Sequence, residues 1–133
     1  ASFALDFMNV HPASELGIKF VDEAAMESYH LEFMDEPGPT DVMSWPSGEF
    51  TYGRDEGLPS PVDLGSIAIC PTVAAKQAAE AGHETINEIL LLTTHGILHL
   101  LGYDHAEPEE HRVMFGIQGD ILLSYYAAEA KGE

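Results

Sequence analysis

The longest mostly apolar stretch of this chain, Ile89 to Leu101, carries two histidines, His95 and His99, and stops at Gly102. It is too short to span a bilayer. Its pattern predicts a helix from about Glu84 to Leu101, closed by Gly102. An imidazole without a partner in an apolar setting is costly, so these two side chains need a reason to be there. Their i, i+4 spacing puts them on one helix face about one turn apart, where both can hold one metal ion. His105 follows just past Gly102, at a point where the chain can turn back. Three imidazole ligands leave a fourth position open for water, which suits a catalytic rather than a closed structural zinc. A divalent ion there lowers the pKa of that water towards about 7. Asp104 is placed in sequence either to accept a ligand ring N–H or to cap the turn, and both readings stand. The residue after His95 is Gly96, and no Glu lies between the two ligands. The H-E-x-x-H protease motif is thereby excluded, and either a general base comes from elsewhere or the metal hydroxide acts alone.

The length of 133 residues fits one domain, expected to run from residue 1 to residue 133. With 5 Lys+Arg against 23 Asp+Glu, the formal charge is −18. That balance argues against a long basic groove for nucleic acid, since affinity for phosphate comes mainly from Lys and Arg. A hydrophobic fraction of 45% is nevertheless ordinary for a folded domain. The single cysteine excludes an intramolecular disulfide and a Cys-rich zinc module, and points to a reducing compartment. No signal peptide is visible, so a cytoplasmic protein without a membrane partner is expected.

Along the chain, Phe3, Phe7 and Val10 share helical spacing over residues 1–10, as in a helix whose start is missing. Glu15 to Val21 alternates as a strand. Asp22 is placed to cap a helix through Met34, with Met26, Tyr29 and Phe33 on one face. Asp41 to Trp45 reads as a short strand closed by Pro46. Ser47 to Val62 is the one long loop. Leu64 to Cys70 is a buried strand, Pro71 sits at a helix start, and the Ala-rich helix that follows ends at Gly82. After the histidine helix, a last one starts near Pro108, with Glu109 and Glu110 suiting its positive end, and runs to about Ala128. The order α-β-α-β-β-α-α-α predicts an α+β domain with a small mixed sheet packed by several helices.

The segment His95 to His105, HGILHLLGYDH, matches at every defined position the H-G-x-L-H-L-x-G-Y-D-H hallmark of the YbeY family of bacterial endoribonucleases. Three further blocks resemble that family. PTDVMSWP at Pro39 to Pro46 is similar to P-T-D-V-L-S-F-P, and LGSIAIC at Leu64 to Cys70 to L-G-D-I-V-I-C. Pro108 to Gln118 is similar to the acidic helix carrying Met-Phe-x-x-Q. The resemblance covers about residues 3–125, has an actinobacterial character, and leaves out the family's N-terminal strand. It implies one zinc ion held by His95, His99 and His105 in a cleft. It also implies hydrolysis of single-stranded RNA in rRNA maturation and ribosome quality control. Ser44, Trp45 and Ser66 are expected to face the substrate, with packing in the core as the other reading of Trp45, and a ribosomal protein is a possible partner.

The chain departs from that pattern at four places. The family carries an Arg at or near Glu32 and Met34, yet no Lys or Arg occurs here between Lys19 and Arg54. The Asp of L-G-D-I is Ser66, the aromatic of S-F-P is Trp45, and Asn87 stands where relatives often have His. Lineage drift in an acidic relative is one reading. An altered or redesigned cleft hydrolysing a different substrate is the other, and a non-catalytic metal-binding or ribosome-assembly factor is the non-enzyme alternative. In each case weak direct RNA affinity is expected from the charge. Of the remaining candidates, His30, His83 and His111 are expected at the surface, His11 in a loop and Cys70 in the core. Asp41 and Thr40 are expected to shape the turn into their strand.

Overall fold

The computed structural model describes residues 2–8, 10, 13–47 and 63–131. His11, Arg54 and all but the first residue of the long loop expected at Ser47 to Val62 lie outside them. The elements are α1 (Ser2–Phe7), β1 (Glu15–Phe20), α2 (Glu23–Met34), β2 (Val42–Pro46), β3 (Asp63–Ile69), α3 (Pro71–Ala81), α4 (Thr85–Leu100) and α5 (Pro108–Ala130). The class and the order of elements are those the sequence predicts. Helix α1 closes at Phe7 rather than Val10, although the Met8 and Val10 amides still bond back to the carbonyls of Ala4 and Leu5.

The three strands form a mixed sheet in the order β1-β3-β2, with β1 parallel and β2 antiparallel to β3. β3 takes the centre because its apolar residues are buried on both faces, whereas β1 alternates between half-buried and exposed residues and suits an edge. Strand alternation then sorts the sheet into two faces. Ile67 and Ile69 of β3 and Val42 of β2 join the main core with Leu92, Ile97 and Leu98 of α4. Ala68 and Cys70 join Met26 of α2, Val73 of α3, and Met43 and Trp45 of β2 on the other face.

α4 lies in the middle of the molecule, in contact with both β2 and β3 and with helices α3 and α5. Its buried hydroxyls are satisfied locally. Thr93 Oγ1 donates to the Ile89 carbonyl at 2.8 Å and Thr94 Oγ1 to that of Leu90 at 2.9 Å. The helix meets the sheet at Gly96, where a Cβ would stand 3.0 Å from Ile67 Cδ1 and 3.1 Å from its Cγ2. A side chain here would make Ile67 give way by a few tenths of an ångström, so glycine suits this close approach. Among the described residues, no helix is long and apolar enough to cross a membrane.

Candidate metal centre

His95 and His99 project from one face of α4, and His105 returns to them through a turn the sequence foretells. Gly102 takes φ +97°. Its amide donates to the His99 carbonyl at 3.0 Å, and the Tyr103 amide to that of Leu98 at 3.0 Å. This paired closure is the glycine-dependent helix ending that satisfies the last carbonyls. Asp104 completes the turn, its Oδ1 accepting from the His105 amide at 2.7 Å. It therefore shapes the loop that delivers His105.

One ring nitrogen from each of the three histidines lies within 4.8 Å of the others. The Nε2 atoms of His95 and His99 are 3.1 Å apart. Two nitrogens bound to one tetrahedral zinc at about 2.0–2.1 Å stand roughly 3.3 Å apart, so the donor set fits such an ion. The second nitrogen of His95 is already committed: Nδ1 lies 2.9 Å from Gln118 Oε1. An amide oxygen only accepts, so Nδ1 carries the proton and Nε2 keeps its lone pair for a ligand bond. The His99 ring has a backbone hydrogen bond at Tyr103. Burial pushes both imidazoles below their ordinary pKa. At His95 the Gln118 hydrogen bond opposes this, and at His99 the neighbouring His95 and His105 reinforce it. Both rings are thus biased to the neutral form that binds metals.

Gln118 escapes a reading of the histidine motif alone. It sits at i+4 from Met114 on the buried stripe of α5, and it is 6% exposed. A polar residue on an apolar stripe was the available signal. Replacing Gln118 by Leu removes the acceptor that sets the His95 tautomer. Zinc affinity, read by competition with a chromophoric chelator, should fall about 10–100-fold, the usual range for an outer partner of a ligand. Gln118→Glu should retain it, because a carboxylate accepts the same proton.

The triad opens into a cleft of about 300 Å³. Ser44, Asp41 and Thr40 line it from the β2 side, and His30 and Met34 from α2. Asp41 Oδ1 accepts from the Val42 amide at 2.7 Å, the turn-shaping role foreseen for it. Two expectations need correction. Trp45 and Ser66 pair across β2 and β3, and strand alternation turns both towards the α2 face of the sheet, away from the triad. Trp45 packs against Tyr29 and Phe33 there, each at 5.4 Å between ring centroids. His30, expected at the surface, lines the cleft, with Nδ1 donating to the Gly38 carbonyl at 2.9 Å. His111 is exposed, as expected, and stacks on Phe115 at 4.2 Å. His83 donates to the buried Glu88 at 2.9 Å.

A family model described as "Endoribonuclease YbeY" matches residues 1–126. The chain belongs to the YbeY family. Its relatives named Endoribonuclease YbeY include one from Clavibacter sepedonicus, 58% identical over 97% of this chain and 84% of that protein. Another, from Beutenbergia cavernae, is 56% identical over 96% of this chain and 85% of its own length. The solution structure of a Thermotoga maritima protein superposes with a TM-score of 0.62 at 26% identity, covering 90% of this chain and 73% of that one. Met34, 58% exposed, lines the cleft at one of the positions where the resemblance places an Arg. Asn87 accepts from the Tyr126 hydroxyl at 3.2 Å and so ties α4 to α5.

Proposed function

We propose that this protein is a zinc-dependent endoribonuclease, one metallohydrolase domain that cuts single-stranded RNA in the cytoplasm during rRNA maturation and ribosome quality control. The observation that carries the reading is the convergence of three imidazoles on one point of a cleft, with the His95 tautomer held by Gln118, in a chain of the YbeY family. His95, His99 and His105 would hold the metal. When bound, a zinc ion supplies Lewis acidity towards a phosphoryl oxygen and lowers the pKa of water. The chain's own groups bind and orient. Ser44 offers a hydroxyl to the phosphate or ribose from the β2 wall. Asp104 keeps the His105 loop closed through its bond to the His105 amide. Weak direct RNA affinity follows from the formal charge of −18, and a basic ribosomal protein could supply part of the hold on the substrate.

The test compares cleavage of a single-stranded RNA by the parent, His105→Ala and Met34→Arg. Cleavage should disappear in His105→Ala, and persistence there would assign it to another site. Met34→Arg adds a cation to the cleft wall and should raise RNA affinity several-fold at low salt, with the gain shrinking as salt rises. An unchanged affinity would mean that the cleft does not hold the phosphates.

A further inference from the structure

We propose that the cavity on the far side of His95 is a nucleobase pocket, in which Phe115 stacks on the base and Glu88 with Gln118 reads its edge as guanine. The pocket rests on the RNA-hydrolase reading above and gives it a base preference. The cavity measures about 220 Å³ and shares Asp41, Val42 and His95 with the metal cleft. Because the two cavities share that wall, a nucleotide whose base enters this one would have its phosphate within reach of the triad side.

The chemistry of the walls is that of a base site. Val42, Leu91 and Leu92 supply apolar surface, and Phe115 supplies an aromatic ring. Phe115 is 37% exposed, so the core does not account for it. Its ring lies 5.6 Å from that of His95 and 5.8 Å from that of His105, and His111 stacks on it with planes 16° apart. Stacking matters more here than in a basic nuclease, because few cations are present to hold the backbone.

Two buried polar side chains line the cavity with capacity to spare. Glu88 is 6% exposed, and its Oε1 accepts from His83 Nε2. Among the described residues its Oε2 has no partner. Gln118 is 6% exposed and spends Oε1 on His95, which leaves its NH₂ group without a partner among the described residues. Buried polar groups are nearly always satisfied, so a free acceptor and a free donor on one cavity point to a ligand carrying the complementary pair. Guanine presents the O6 acceptor beside the N1–H and N2–H₂ donors. The Gln118 amide can donate to O6 while the Glu88 carboxylate accepts from N1–H and N2–H₂. Uracil sets a carbonyl on each side of its single N–H, which places an oxygen against the carboxylate.

The experiment follows the methyl groups of Val42, Leu91 and Leu92 by NMR in the zinc-loaded full chain, titrated separately with GMP, UMP and inorganic phosphate. GMP should shift these methyls and bind at least about tenfold tighter than UMP, while phosphate leaves them unmoved. Phe115→Ala should weaken GMP about tenfold, within the range for loss of one base–aromatic stack. Glu88→Gln, which keeps the volume, should bring the GMP and UMP affinities together. Methyls unmoved by GMP, or UMP binding as tightly as GMP, would overturn the pocket. RNA cleavage by a protein with unmoved methyls refutes the pocket and leaves the hydrolase standing. GMP binding without RNA cleavage supports the pocket and refutes the hydrolase.

Discussion

Replacing His99 by Ala should abolish stoichiometric zinc binding and with it RNA cleavage. The loss in affinity should exceed the roughly 10–100-fold typical of an outer partner, because a donor atom itself is gone. The three rings form a compact triangle, with centroids 4.7 Å apart for His95 and His99, 5.2 Å for His99 and His105 and 5.4 Å for His95 and His105. With His99 removed, His95 and His105 remain, two ligands for an ion that takes three or four from structured sites. The substitution also removes a ring that burial biases towards the neutral, metal-binding form. Metal content of chelator-treated, reconstituted protein provides the measurement. Zinc bound at one equivalent, as tightly as by the parent, would remove His99 from the ligand set.

The second large effect is on stability. Gly96→Val should destabilise the fold by about 1–3 kcal/mol, the usual range for forcing extra carbons into a packed core. The Cβ alone would meet Ile67 Cδ1 at 3.0 Å, and Ile67 is fully buried in the central strand. Chemical denaturation gives the magnitude. A companion Ile67→Ala should recover part of the loss, since it empties the volume the new side chain needs. If the double variant is as unstable as the two single losses added together, the contact between α4 and β3 is not the cause. Because Gly96 follows His95 directly, moving α4 off the sheet also moves the triad, and zinc affinity should fall along with stability.

These two variants show which properties are local and which are not. The i, i+4 histidines, the glycine that ends their helix and the third histidine beyond it are read from residues 95–105, since each follows from helix geometry and the conformational freedom of Gly102. The strand at Leu64 to Cys70 is legible for the same kind of reason: a short apolar run between turn residues. The faces of the strands are harder. Trp45 and Ser66 sit in blocks that resemble the family's, yet strand alternation turns both away from the triad. Which parity faces the cleft is set by the register against β3, and no local pattern encodes it.

Gln118 and Glu88 illustrate the limit from the other direction. Each is a polar residue on a mostly buried helix face, which marks it as unusual in sequence but names no partner. The partner of Gln118 lies on α4, twenty-three residues earlier. Helix-to-helix contacts of this kind depend on how α4 and α5 pack, a global outcome of burying their apolar stripes together. By itself the sequence determined the α+β class, the order of the elements and the grouping of three histidines, because these rest on periodicity, helix termini and spacing within a few turns of chain. Only the tertiary structure decided that Gln118 holds the His95 tautomer, that Met34 and His30 wall the cleft, and that a second cavity lies behind His95. Those relations join residues brought together by packing, and packing is a property of the whole core rather than of any one segment.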